Sequence, residues 1–148
     1  MEKLPINIPQ IQVPTPDITD NITVKLFLPG GPINGYQIQD FRIGFIQDMD
    51  YKGQPQHEVT GGIMSVMITQ VPDETINKWM MKSNLLLSGS FVFKHLGHTL
   101  LTITFEDAYC VDYNKSVNSR SGVATRIVIS PKNVDVGGVK HENKWKKD

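Results

Sequence analysis

Apolar and polar residues alternate along several segments of this chain, and the alternation restricts the fold more than any other feature of the sequence. From residue 22 to residue 28 every even-numbered position is apolar, and residues 99–111 alternate over a longer stretch. A period of two places successive side chains on opposite faces of a β-strand, so each segment is predicted to bury one face. In the second segment the predicted core residues are Leu101, Ile103, Phe105, Tyr109 and Val111, and the residues facing away from the core are Thr102, Thr104 and Glu106.

The strand that follows the first one changes phase in its middle. Tyr36 and Ile38 share one face, whereas Phe41, Ile43 and Phe45 share the other. A β-bulge inserts one extra residue into a strand and so restores a continuous buried face. The sequence therefore predicts a bulge near residues 39–40.

Further strand segments are predicted at 63–71, 90–96, 123–130 and, more briefly, 134–136. Gly97 and His98 are predicted to join residues 90–96 to residues 99–111 as a hairpin. Pro131 is predicted to close the strand at 123–130, because proline cannot donate a backbone hydrogen bond. Six or seven strands with one helix favour a small antiparallel barrel or sandwich over a layered βαβ fold.

One short helix is predicted after the strand at 63–71. Asp73 can accept hydrogen bonds as the N-cap, and Glu74 suits the positive end of the helix dipole. Ile76, Trp79 and Met80 fall on one face at helical spacing. The helix is expected to end by about residue 84 and to pack this apolar face on the core.

Two regions lack a strand or helix pattern. Residues 1–20 contain four prolines, which predicts an extended N-terminal arm, and residues 21–148 are predicted to form one β domain with a basic C-terminal tail. The polar loop at 48–62 is longer than most connections in compact domains, and such loops usually carry function. We expect it to contact a neighbouring molecule through Asp48, Asp50, Tyr51, Lys52, His57 and Glu58.

Charge and apolar content exclude several classes of function. The chain has 15 Lys and Arg and 15 Asp and Glu, so its formal net charge is zero. Proteins that bind nucleic acids or anionic membranes usually carry an excess of basic residues. This chain has no such excess, so neither is predicted as a partner. The apolar runs are too short to span a bilayer, and prolines interrupt the first residues where a signal peptide would be continuous. We therefore expect a protein made in the cytoplasm, without membrane insertion.

Candidate chemical groups do not form a recognisable catalytic or metal-binding pattern. His95 and His98 flank a hairpin turn, but no cysteine or carboxylate near them completes a zinc site. Cys110, the only cysteine, falls on the polar side of its strand in the alternation and has no activating motif, so it is interpreted as a thiol packed in the core or at an interface. Glu106 and Asp107 are neighbours in a strand and so point to opposite faces. We expect no catalytic residues, no metal and no cofactor.

Several stretches, taken in their order and spacing, resemble one known family. The first is Gly61-Gly62-Ile63, leading into Val66 and Ile68, followed by residues 73–79. The others are residues 88–93 with residues 100–111, and residues 127–131 with His141, Asn143 and Trp145. This set resembles the hemolysin-coregulated protein family (Hcp, TssD), the tube subunits of type VI secretion systems, and most closely a divergent branch of it. The resemblance covers approximately residues 22–145.

The resemblance implies a closed β-barrel with one flanking helix that assembles as a homohexameric ring. It implies stacked rings that form a tube, secretion through the type VI apparatus without a signal peptide, and a fold shared with phage tail tubes. The implied partners are further copies of the chain, the contractile sheath, tip and baseplate proteins, and secreted effectors. Together with the alternation, it predicts that Thr102, Thr104 and Glu106 line the lumen.

A second apolar surface is compatible with self-association. Phe27, Ile63, Met67 and Val128 alternate with the predicted core residues, so they are expected to face outward. A subunit interface requires such a surface. The alternative function is that of a monomeric barrel that binds a small ligand in its interior.

Overall fold

The computed structural model describes residues 22–46 and 60–143, which form seven strands and one helix. Neighbouring strands are antiparallel throughout. Within these residues no helix is both long and apolar enough to cross a membrane. The elements are β1 (Ile22–Phe27), β2 (Tyr36–Ile46), β3 (Thr60–Ile68), α1 (Glu74–Met81), β4 (Leu87–His95), β5 (His98–Asn118), β6 (Gly122–Val136) and β7 (Val139–Glu142).

The strands form one closed sheet. Their order is β3-β2-β1-β4-β5-β6-β7, and β3 also pairs with β6. Six strands therefore form a ring, and β7 extends from the C-terminal half of β6. This arrangement confirms the predicted mainly-β class of antiparallel strands with one short helix.

The predicted bulge in β2 is present. The register of β2 against β3 shifts between Ile38 and Asp40, which pair with Ile68 and Met67. Because of this shift, Phe41 and Ile43 pack against the core on the same side as Ile38. The prediction that Phe45 continues this buried face is wrong, because a second register shift between Gly44 and Phe45 leaves Phe45 43% exposed.

The helix is also as predicted. The Asp73 side chain accepts a hydrogen bond from the Ile76 amide at 3.1 Å and caps the N-terminus of α1. The Tyr36 hydroxyl donates to the same carboxylate at 2.9 Å. Burial, and then this hydrogen bond, raise the pKa of Tyr36 above its ordinary value, so the phenol stays protonated as a donor. These contacts fix the start of the helix against β2.

Large side chains fill the interior of the closed sheet. Trp79 of α1 stacks on Phe105 of β5, with ring centroids 6.2 Å apart and planes 7° apart. Its indole nitrogen donates to the Ala108 carbonyl at 3.0 Å. Among the described residues, the fully buried hydrophobic ones are Leu26, Met64, Val66, Ile68, Ile76, Trp79, Phe91, Phe105, Ala108, Ile127 and Ile129, and Thr125 is fully buried as well. Because these side chains occupy the interior, the structure gives no support to the alternative of an internal ligand cavity.

The prediction for β5 is correct in its first half and wrong in its second half. Ile103 and Phe105 are buried, but Asp107 has a positive φ of 52° and reverses the alternation. Ala108 and Cys110 consequently point to the core, whereas Val111 is 56% exposed. Cys110 was predicted on the polar side, and the kink at Asp107 explains why it is not there.

The prediction that Pro131 ends a strand is wrong, because β6 continues through it to Val136. On one edge of β6 the pairing with β3 ends at Ile129, and the pairing with β7 begins at Asn133. Pro131 lies in this gap, where its own carbonyl accepts a hydrogen bond from the Asn143 side chain at 2.9 Å. Neither β3 nor β7 pairs with β6 at residue 131, so no backbone N–H donor is needed there and proline is tolerated in the middle of the strand.

Two boundaries near the ends of the predicted loop and tail also differ. Gly61 and Gly62 were predicted as loop, but they belong to β3, with φ of 130° and 74°. A Cβ on Gly61 would lie 2.6 Å from the Gly44 carbonyl oxygen, so only glycine allows the approach to β2. The predicted basic tail begins with β7, a strand in which Lys140 pairs with Asp135.

Candidate assembly surfaces

Five strands present one continuous outer face that is largely polar, here called the polar face. It carries the residues predicted to line the lumen: Thr102, Thr104 and Glu106 are exposed on β5. Their neighbours follow from the strand register, because directly opposed residues share a face. These neighbours are Thr23, Lys25 and Phe27 on β1, Ser90, Val92 and Lys94 on β4, Asn133 and Asp135 on β6, and Lys140 and Glu142 on β7.

Two shallow grooves with different charge lie on the polar face. One, of about 510 Å³, is formed by β5, β6 and β7, and its carboxylates are Glu106, Asp135 and Glu142. The other, of about 330 Å³, is formed mainly by β1 and β4, and its charged residues are Lys25 and Lys94. The polar face is thus hydrophilic and carries both signs of charge.

A different outer face, made by β3 and the first half of β6, is partly apolar. Ile63 is 47% exposed there, and Met67 and Val128 are half-buried on the same side. Arg126 crosses this face, with its guanidinium 3.2 Å from the Asp40 carboxylate. The outward direction predicted for Ile63, Met67 and Val128 is therefore observed.

Phe27 also points outward, but it lies on β1 within the polar face, where it pairs with Ser90. The predicted second apolar surface is therefore smaller than the sequence indicated. The residues predicted to make contacts from the 48–62 loop, namely Asp48, Asp50, Tyr51, Lys52, His57 and Glu58, lie outside the described residues.

Asn143 is a contact-forming residue whose role sequence reasoning missed. Its side chain is 8% exposed and accepts a hydrogen bond from the Gly61 amide at 3.1 Å. It donates to the Gly61 carbonyl at 2.7 Å and to the Pro131 carbonyl at 2.9 Å. A ring nitrogen of His141 lies 3.0 Å from the same carboxamide oxygen. Asn143 thus joins the start of β3, the middle of β6 and the end of β7. The only sign of this role in the sequence was that Asn143 is one of the residues that carry the family resemblance.

The candidate nucleophile and candidate metal ligands do not form a reactive site. Burial raises the pKa of the Cys110 thiol to about 11, so the thiolate that nucleophilic chemistry requires is scarce at neutral pH. His95 and His98 are cross-strand partners at the β4–β5 turn. In the part of the chain that the structure describes, no three His, Cys, Asp or Glu side chains are grouped to hold a metal ion.

Solved structures similar to this chain include Hcp proteins and a chain of the anti-feeding prophage baseplate. Hcp1 from Flavobacterium johnsoniae is 21% identical and has a TM-score of 0.73, covering 82% of this chain and 99% of its own. Hcp1 from Salmonella typhimurium is 13% identical with a TM-score of 0.62, covering 78% of this chain and 85% of its own. A component of the anti-feeding prophage baseplate is 11% identical with a TM-score of 0.54, covering 90% and 99%. At these identities the likeness shows a common fold.

The family model for hemolysin coregulated protein Hcp (TssD) matches residues 20–146. None of the curated proteins compared with the chain matches it in sequence. Because the family model spans most of the chain, the chain belongs to the hemolysin coregulated protein (TssD) family. It is accordingly a structural subunit of a type VI secretion tube.

Proposed function

We propose that the chain assembles head-to-tail into hexameric rings, that the rings stack into a tube, and that the polar face forms the wall of the lumen. Its role is then structural rather than enzymatic. Family membership supports the tube. One relative in fold belongs to a baseplate described with sixfold symmetry, which supports rings of six. The single observation that carries the lumen assignment is the polar face itself, which is continuous over five strands.

The two outer faces suit two different roles. A lumen that passes varied protein cargo needs a hydrophilic surface that adheres weakly, and Thr102, Thr104 and Glu106 supply hydroxyl and carboxylate groups. A contact between subunits needs apolar surface to exclude water, and Ile63 and Met67 supply it on the β3 side. Head-to-tail contacts that use two different surfaces close into rings when the rotation between subunits permits.

The partners beyond the ring follow from the same proposal. They are the contractile sheath around the tube, the tip and baseplate at its ends, and effector proteins within the lumen. We further propose that the protein is made in the cytoplasm and leaves the cell through the type VI apparatus. The predicted loop at 48–62 remains a candidate for contact with a neighbouring subunit, in the same ring or in the next one.

We expect a cysteine on the polar face to be shielded in the assembled protein. The variant Thr104→Cys is made in a Cys110→Ala background and labelled with biotin-maleimide, a reagent small enough to enter a lumen. The labelled protein is then incubated with streptavidin, which is far larger. Lys78→Cys is the matched control, because Lys78 is 53% exposed on the outer side of α1. Both variants should take the biotin.

Streptavidin should bind the Lys78 variant at once and the Thr104 variant only after the rings have been dissociated with urea. Equal binding to both variants in the assembled protein would show that the polar face lies outside the tube.

A further inference from the structure

The charges on the polar face are separated along the strands and also across them, since the lysines lie on β1 and β4 and the carboxylates on β5 and β7. Lys94 lies opposite Thr23, and Lys25 lies opposite Val92, near the end that carries the β4–β5 turn. At the other end of the strands, Glu106 and Glu142 both flank Asn133. The polar face therefore has a lysine end and a carboxylate end.

The row between the two ends is internally neutral. It contains Thr104, Asp135 and Lys140, and Lys140 is the direct cross-strand partner of Asp135. Opposite charges in directly opposed positions attract each other. The separation of charge on the polar face is therefore due to Lys25 and Lys94 on one side of this neutral row and to Glu106 and Glu142 on the other side.

The two ends are too far apart to neutralise each other. The Ser88 hydroxyl accepts a hydrogen bond from the Asp107 amide at 3.0 Å, which places Ser88 beside the carboxylate end. Lys94 lies six residues further along β4, or about 20 Å at roughly 3.3 Å per residue. This exceeds the screening distance of about 8 Å at physiological ionic strength. Within the described part of the chain, none of the four residues forms an ion pair.

The arrangement of charge selects one way for two copies to meet end to end. If two copies met by a twofold axis, lysines would face lysines or carboxylates would face carboxylates. If one copy followed the other in the same direction, the lysine end would face the carboxylate end. Like charges held close together cost free energy, so the second arrangement is favoured.

We propose that adjoining rings stack through this charge pairing, with Lys25 and Lys94 of one ring against Glu106 and Glu142 of the next. The inference rests on the proposed ring, and it adds the residues that set the direction of stacking. The pairing also makes stacking sensitive to salt, because exposed charges are screened as the ionic strength rises.

Charge exchange tests the proposal. Rings of the E106K/E142K variant carry positive charge at both ends, and rings of K25E/K94E carry negative charge at both ends. Neither ring should stack on its own, and a mixture of the two should stack in alternation. A fourfold variant that exchanges all four charges should stack again by itself.

The matched control is K82E/R120E, which changes the net charge as much as K25E/K94E does. Lys82 is exposed at the C-terminal end of α1, and Arg120 lies in the exposed turn after β5. Residues 144–148, which include three lysines and lie outside the described residues, stay unchanged in every variant. The control should stack like the parent protein.

Sedimentation velocity measures the fraction of protein in species larger than one ring. We expect each two-residue variant alone to lose at least about tenfold in this fraction, since like charges at an interface cost several kcal/mol. The mixture and the fourfold variant should recover it. Each two-residue variant alone should still sediment as single rings. Variants that stack alone, variants that form no ring while the parent protein does, or a mixture that does not stack would overturn the proposal. A parent protein that forms no ring would instead refute the proposed function, so the two failures are distinguishable.

Discussion

Trp79→Ala should lower the free energy of unfolding by about 3–5 kcal/mol, the usual cost of removing a buried aromatic side chain. Trp79 is fully buried, stacks on Phe105 and donates its indole N–H to the Ala108 carbonyl. Alanine would leave a cavity between α1 and β5 and an unpaired carbonyl next to the kink at Asp107. Urea unfolding followed by circular dichroism, at one fixed protein concentration, measures the change.

Two control variants separate packing from the hydrogen bond. Trp79→Phe keeps an aromatic ring but loses the indole donor, and it should cost less than Trp79→Ala. Lys78→Ala removes only an exposed ion pair with Glu74, and it should change the stability by no more than about 0.5 kcal/mol. If Trp79→Ala were as stable as Lys78→Ala, α1 would not be part of the core.

Asn143→Leu should destabilise the protein by about 2–4 kcal/mol, because it leaves the Gly61 amide and the carbonyls of Gly61 and Pro131 without their partner. Leucine matches the size of asparagine but can neither donate nor accept. The effect should concentrate at the start of β3, where hydrogen exchange of the amides near Gly61 should accelerate more than exchange at Ile103 in the core.

Asn143→Asp separates the donor from the acceptor. The introduced carboxylate can still accept from the Gly61 amide, but it faces two carbonyl oxygens to which the carboxamide donates. Burial and these oxygens should raise the pKa of the new group in the folded state. Its destabilisation relative to the parent should therefore be small at low pH and grow as the pH rises through that pKa. A pH-independent difference would contradict the assigned hydrogen bonds.

Much of the fold follows from local patterns. Alternation located the strands, and the phase change at Tyr36 and Ile38 against Phe41 correctly indicated the bulge. The helix was predictable because its cap and its apolar face lie close together in sequence, at Asp73, Ile76 and Trp79.

Two of the errors share a physical cause, since each depends on residues distant in sequence. Pro131 is tolerated inside β6 only because β3 and β7 leave a gap beside it. Gly61 belongs to a strand because it packs against Gly44 and is held by Asn143, which is 82 residues away. Neither contact leaves a periodic signal along the chain.

The candidate site was predictable only in part. Alternation alone placed Thr102, Thr104 and Glu106 on an outward face. The lysine end and the carboxylate end could not be seen from the sequence, because the strand register brings Glu106 and Glu142 to opposite sides of one residue. Before the register is known, these charges are scattered through the chain.

The assembly proposed for this tube subunit is tested most directly by its mass in solution. Size-exclusion chromatography with multi-angle light scattering at micromolar concentration should give six times the 16.6 kDa of one chain. A uniform species with the mass of one chain or of two would contradict the ring.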